Sequence, residues 1–134
     1  MGLTVFDSDV LIGFLNGEDA NHVDADARVR AAVRSGDRCL VCAVNYTEVL
    51  VGPVRAGAAG AVDEMLGYFG FEIIQADQAL AQRAAAVRAR TNLKVPDAYA
   101  LATVIHAEHR GWDDVRLATF DRRLMTAFAE LHPN

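Results

Sequence analysis

Lysine is nearly missing from this chain: Lys94 is the only one, and every other basic residue is arginine. Arginine's planar fork suits phosphate recognition better than an ammonium does, although the codon usage of a GC-rich genome produces the same bias. Positive charge is also in deficit, with 13 basic residues against 18 acidic ones and a net charge of -5. A general nucleic-acid binder needs excess Lys and Arg to replace counterions, so that class is disfavoured. A local acidic excess is another matter, because two bound divalent ions would add about +4 and leave the chain near neutrality. Long apolar runs are absent: none approaches the roughly 20 residues that span a bilayer, and no basic stretch followed by an apolar signal region opens the chain. A cytoplasmic protein without membrane contact is expected. Prolines number only three, and the composition is 52% hydrophobic and 23% charged, which excludes extended disorder. At this length one domain over 1–134 is expected, able to bury about two-thirds of its unfolded surface without a metal or disulfide. The two cysteines, Cys39 and Cys42, have C-x-x-C spacing but lie in an apolar, strand-like run. Three positions apart on a strand they point to opposite faces, so buried structural thiols are expected rather than a redox pair.

What is present is alternation. Short apolar runs at 3–6, 39–43, 71–74 and 115–118 read as strands, and longer segments at 24–34, 45–51, 59–69, 78–90 and 97–109 read as helices. This is the pattern of βαβ units: a three-layer α/β/α domain with a central parallel sheet of four to five strands. In 78–90, Leu80, Ala84 and Val87 recur at i, i+4 and i+7 and set Arg83 and Arg90 on another face. Gly52-Pro53-Val54-Arg55-Ala56-Gly57 reads as a turn between two helices and lacks the Gly-Lys-Ser/Thr ending of a phosphate loop.

In an open parallel sheet ligands bind at the carboxyl ends of the strands. Asp7 ends the first strand and Asp121 follows the last; Glu48 lies about one helical turn past the second, and Asp97 opens a helix after Pro96. Each has a bland explanation: Asp97 as a helix cap, Asp121 as the first residue of a helix, Glu48 as a solvated side chain. Together they predict a cluster. Carboxylates about 4 Å apart repel by around 4 kcal/mol per pair at an effective dielectric near 20, so such a cluster needs protons or cations. Hard oxygen ligands select Mg²⁺, with Mn²⁺ as substitute, and that chemistry suits phosphodiester hydrolysis.

These segments resemble the motifs of the PIN domain, most closely those of VapC-type toxins from VapBC toxin-antitoxin modules. The opening motif is matched by Asp7-Ser8-Asp9-Val10-Leu11-Ile12 and the second by Cys42-Ala43-Val44-Asn45-Tyr46-Thr47-Glu48-Val49. The third is matched by Pro96-Asp97-Ala98-Tyr99-Ala100-Leu101-Ala102 and the fourth by Leu117-Ala118-Thr119-Phe120-Asp121. The resemblance implies a metal-dependent endoribonuclease, with Asp7, Glu48, Asp97 and Asp121 as catalytic metal ligands and Thr119 as the small hydroxyl residue beside them. It also implies tRNA or rRNA as the substrate class, a VapB-type antitoxin partner and a homodimer. Two positions depart from the pattern. Cys42 replaces a frequent serine, and Asp9 stands where serine or asparagine is common, either capping a helix that starts at Val10 or adding charge to the cluster.

Other features have two readings each. Arg122 and Arg123 follow Asp121, and Arg88, Arg90 and Lys94 lead into Asp97; these are phosphate contacts, with Arg88 and Arg122 the candidates for RNA, or a solvated basic face. His106 and His109 are spaced to share a metal, but placement near a helix C-terminus explains them better. Met65, Leu66, Tyr68 and Phe69 are core or interface. Two other functions compete with the nuclease. Asp7-Ser8-Asp9 resembles the D-x-D of haloacid-dehalogenase phosphatases, with Asp7 as nucleophile, but that chemistry needs a later lysine and only Lys94 exists. The other is an inert PIN-like binding protein, which the four filled acidic positions argue against.

Overall fold

A computed structural model describes residues 2–132; Met1, Pro133 and Asn134, included in the expected domain, lie outside the described residues. The order of elements is β1 (Leu3–Phe6), α1 (Ser8–Leu15), α2 (His22–Arg34), β2 (Arg38–Cys42), α3 (Ala43–Arg55), α4 (Ala59–Tyr68), β3 (Phe71–Ile74), α5 (Gln78–Thr91), α6 (Val95–His109), β4 (Val115–Ala118) and α7 (Arg122–Leu131). The four strands form one parallel sheet in the order β3-β2-β1-β4, with Leu3 opposite both Arg38 and Val115 and Phe6 opposite Ala118. The expected layered α/β architecture is present, at the lower of the two strand counts.

β1 is buried along its whole length, as a central parallel strand covered on both faces must be. Leu3 and Val5 join one core with Leu80, Ala84 and Val87 of α5, the apolar side of α6, and Leu124 and Ala127 of α7. Phe6 joins the other, with Val10, Leu11 and Phe14 of α1, Val29 of α2, Val49 of α3 and Leu66 of α4. Cys39 falls in the second core and Cys42 in the first, both as free buried thiols on opposite faces. The 65–69 patch is divided: Leu66 is core, whereas Met65 and Tyr68 point outward, Tyr68 with 83% of its surface exposed.

The crossovers from β1 to β2 to β3 step one way across the sheet and put α1 to α4 on one face. The crossover from β3 returns past β1 to β4 and puts α5 and α6 on the other, as right-handed connections require. The chain thus reverses direction at β1, and the crevice between the carboxyl ends of β1 and β4 is the switch point where ligands bind in sheets of this kind.

Three boundaries correct the sequence reading. First, α1 begins at Ser8, so Asp7 is its cap and Asp9 lies inside its first turn. Second, α3 runs through Pro53 to Arg55, where a turn was expected from Gly52. A proline so near the C-terminus forgoes one helical bond only; the stop comes at Gly57, whose φ of +71° lets Ala58 N–H reach the Pro53 carbonyl at 2.8 Å. Third, α6 begins at Val95, with Pro96 in its first turn, where a missing amide costs nothing. Asp97 is therefore not the cap; that position belongs to Lys94. Among the described residues no helix is long and apolar enough to cross a membrane.

Candidate active site

The site begins where β1 stops. Asp7 N–H continues the ladder to β4 through the Ala118 carbonyl at 2.9 Å, which fixes the aspartate at the mouth of the crevice. One carboxylate oxygen accepts from Ser8 N–H at 2.8 Å and the other from the Thr119 hydroxyl at 2.7 Å. With a single proton to give, Thr119 donates to Asp7 rather than to the Asp9 carboxylate at 3.4 Å, while its oxygen accepts from Asp121 N–H at 3.0 Å. Thr119 thereby ties the last strand's exit to the first strand's acid.

Asp9 does not cap a helix. It crosses to the β4–α7 loop and accepts from Phe120 N–H at 3.0 Å with Oδ2, leaving Oδ1 buried and without a hydrogen-bond partner. Asp121 does cap α7, accepting from Arg123 and Leu124 N–H at 2.8 and 3.1 Å. The loop between them is held from outside by Arg28 of α2. Its guanidinium donates to the Thr119 carbonyl at 2.9 Å and lies over the Phe120 ring, 4.5 Å from the centroid.

Glu48 enters from the second turn of α3, held by the Ser8 hydroxyl at 2.9 Å. Asp97 enters from the first turn of α6, whose start is fixed by Asn45: fully buried in α3, it donates its amide to the Pro96 carbonyl at 3.0 Å. Ser8, Asn45 and Arg28 escaped the sequence reading. Each works through a partner 40 to 91 positions away, and no local pattern announces such a pairing.

The electrostatics show that these acids feel one another. Burial, then the charge of Asp9, pushes the Asp7 carboxyl up to about 7, against the hydrogen bonds from Thr119 and Ser8. Asp9 is raised by burial and by Asp121. Asp97 is raised by burial first, then by Asp121, Glu48 and Asp9, with Lys94 as the opposing charge. The five acidic side chains are thus brought to one edge, and Asp97 is coupled to all the others.

The chemistry of this donor set fits a hard divalent cation: it is all oxygen, mutually repulsive, and includes one buried carboxylate oxygen that nothing satisfies. As they stand, no three His, Cys, Asp or Glu side chains among the described residues are drawn close enough to hold a metal ion. His106 and His109 gather no third ligand either. Of the two arginines expected at RNA, Arg88 is engaged with the chain itself, donating to the Leu93 carbonyl in the α5–α6 loop. Arg122, on the first turn of α7, lines an open cavity with Arg90 and Arg123.

Comparison with known proteins agrees with this fold. The family model described as PIN domain matches residues 4–131. No curated protein matches the chain. A toxin-antitoxin complex from Klebsiella pneumoniae contains a chain 27% identical, with a TM-score of 0.69 over 88% of this chain and 86% of that one. VapC20 from Mycobacterium tuberculosis, a sarcin-ricin loop cleaving toxin, aligns at 16% identity and a TM-score of 0.69 over 92% and 94%. VapBC2 from Rickettsia felis, solved bound to a DNA fragment from its promoter, aligns at 10% identity and a TM-score of 0.60 over 89% and 99%.

Proposed function

The chain belongs to the PIN domain family, and from that premise we propose that it is a VapC-type endoribonuclease, the toxin of a type II toxin-antitoxin pair, hydrolysing phosphodiester bonds in RNA of the tRNA or rRNA class. The observation that carries the reading is the convergence of Asp7, Asp9, Glu48, Asp97 and Asp121 at the β1/β4 switch point, with three of them held above the usual carboxylate range.

In this reading Asp7, Glu48, Asp97 and Asp121 hold Mg²⁺ or Mn²⁺, with Asp9 supplying further negative charge. Bound there, the ion would supply an activated water and neutralise charge on the phosphoryl oxygens. The chain's own part is to hold the acids in place. Thr119 orients Asp7, Ser8 orients Glu48, Asn45 fixes the turn that carries Asp97, and burial with the charge of Asp9 raises the Asp7 carboxyl to about 7, an unfavourable charge that a bound cation would offset. Family membership removes the phosphatase alternative, in which Asp7 attacks phosphorus. A VapB-type antitoxin, a homodimer and a cytoplasmic location belong to the same reading. The toxin-antitoxin complex at 27% identity supports the first, and the outward Met65 and Tyr68 offer apolar surface for an assembly to cover.

The test is cleavage of tRNA and rRNA with Mg²⁺ or Mn²⁺ by the native chain and by Asp97→Asn. A loss of at least about 100-fold is expected, because replacing even an outer partner of a metal ligand typically costs about 10–100-fold. Equal cutting by both proteins overturns the proposal. Calorimetric titration with Mn²⁺ separates it from an inert scaffold, which would show no site that Asp7→Ala abolishes.

A further inference from the structure

A cavity of about 340 Å³ is lined by Arg90, Thr91 and Leu93 and, from α7, by Arg122, Arg123, Thr126, Ala127 and Glu130. Three arginines face a single carboxylate there, in a chain whose net charge is -5. All three arginines are exposed, and none has an ion-pair or side-chain hydrogen-bond partner among the described residues. Arg30, Arg38 and Arg116 are paired with Asp26, Glu72 and Asp114, and Arg28 and Arg88 with backbone carbonyls; Arg34, Arg55, Arg83 and Arg110 are also without such partners among the described residues, and what sets Arg90, Arg122 and Arg123 apart is that all three line one cavity.

The cavity's walls connect it to the site. One wall is the first turn of α7, entered directly from Asp121; the other is the end of α5 and Leu93, three residues before Pro96 and four before Asp97. Arg88 clasps the Leu93 carbonyl, and Asn92, at a φ of +58°, turns the chain there. The wall is thereby set by backbone contacts rather than by an ion pair. Unpaired guanidinium groups around an open cavity match the tetrahedral oxygens of a phosphodiester, which they contact in forked pairs.

Resting on the nuclease reading above, we infer that this cavity is a phosphate subsite, which grips a backbone phosphate of the RNA strand neighbouring the bond to be cut. Arg90, Arg122 and Arg123 are its binding residues, and Arg88 is the residue that shapes its wall. Nucleic-acid contact is concentrated here rather than spread over the surface, which reconciles an acidic chain with a polyanionic substrate.

The experiment measures binding of a fluorescent single-stranded oligoribonucleotide, in EDTA to prevent cleavage, across 50 to 200 mM NaCl. The native chain, Arg90→Gln/Arg123→Gln and the charge-matched control Arg34→Gln/Arg55→Gln are compared. Each lost phosphate contact lowers the slope of log affinity against log salt by about 0.7. The pocket variant should lose about 0.7 to 1.4 of slope and the control none, with Mn²⁺ affinity and melting temperature unchanged in both. An unchanged slope in a protein that still cuts RNA with Mn²⁺ overturns the subsite and leaves the nuclease standing. A lost slope in a native chain that never cuts does the reverse. Unchanged RNA binding with weakened binding of polyglutamate would assign the cavity to an acidic protein segment and also overturn the proposal.

Discussion

Replacing Asp7 by asparagine should make the metal-free protein more stable while abolishing the proposed Mn²⁺ binding. Asp7 is only 3% exposed, and its carboxyl is raised from 3.8 to about 7 by burial and by Asp9. A folded group that holds its proton more tightly than the unfolded chain contributes stability below its unfolded value, and that stability drains away as pH rises from about 4 to about 7. At about 1.4 kcal/mol per tenfold change in proton affinity, the ionised carboxylate costs the fold on the order of 4 kcal/mol at pH 8. Asparagine is nearly isosteric. Its carbonyl still accepts from Ser8 N–H, and its amide donates to the Thr119 oxygen, whose proton turns to Asp9. Allowing for the lost charge-assisted bond, Asp7→Asn should gain about 2–3 kcal/mol in EDTA at pH 8, or roughly 5–10 °C in melting temperature. At pH 4 the gain should shrink below about 1 kcal/mol, because native Asp7 is then protonated in the folded chain. Mn²⁺ at about 1,000 times its Kd should reverse the ranking, since about 4.1 kcal/mol accrues to the native chain there and none to the variant. Urea denaturation at the two pH values, with and without Mn²⁺, measures all four quantities. Equal stabilities of native and variant at both pH values in EDTA would refute the account of Asp7 as a buried charge held under strain.

Three further outcomes follow from the same geometry. Thr119→Val strands the Asp121 N–H and an Asp7 oxygen, and should cost about 1–3 kcal/mol in urea denaturation, with Thr119→Ser restoring most of it; a neutral Val variant would contradict the bridging role. Arg28→Ala should lower kcat for RNA cleavage several-fold while leaving stability within about 1 kcal/mol, because it frees the 119–120 loop without emptying a core; Arg28→Lys, which loses the planar fork, should recover little of the rate. His132 should stabilise the fold only at lower pH. Burial lowers its pKa, but the bonds to Glu108 and the Phe128 carbonyl outweigh that and raise it, so its contribution is complete below about 6.5 and vanishes as pH climbs through the folded value. Both partners are partly solvated, so His132→Gln should cost under about 1 kcal/mol at pH 5.5 and nothing at pH 8.5.

Much of this architecture was legible before any coordinates. Apolar runs such as 3–6 and 115–118, separated by longer amphipathic stretches, force parallel strands with helical crossovers, and strand ends are where acids acquire meaning. Pro53 shows where reading fails: the residue looks like a break, yet one missing bond in a last turn is tolerated and Gly57 makes the actual stop. Asp9 shows a deeper limit. Its cap-like position in the sequence is local information, whereas its partner, Phe120 N–H, lies 111 positions away. Arg28 is equally silent in sequence, because nothing in an exposed α2 arginine points to the β4–α7 loop. Arg88 was expected at the substrate on the strength of its neighbours, and the structure gives it a carbonyl five residues along its own chain.

The strand order also governs when activity can appear. β4 is synthesised after the three other strands described, yet it lies directly against the first, and the loop that follows it carries Thr119, Phe120 and Asp121. A nascent chain therefore holds Asp7, Asp9, Glu48 and Asp97 before the clasp that closes them has been made. For a protein proposed to cut RNA, this makes the sheet a delay device: the acids stay unclasped until β4 and the loop after it have taken their place beside β1.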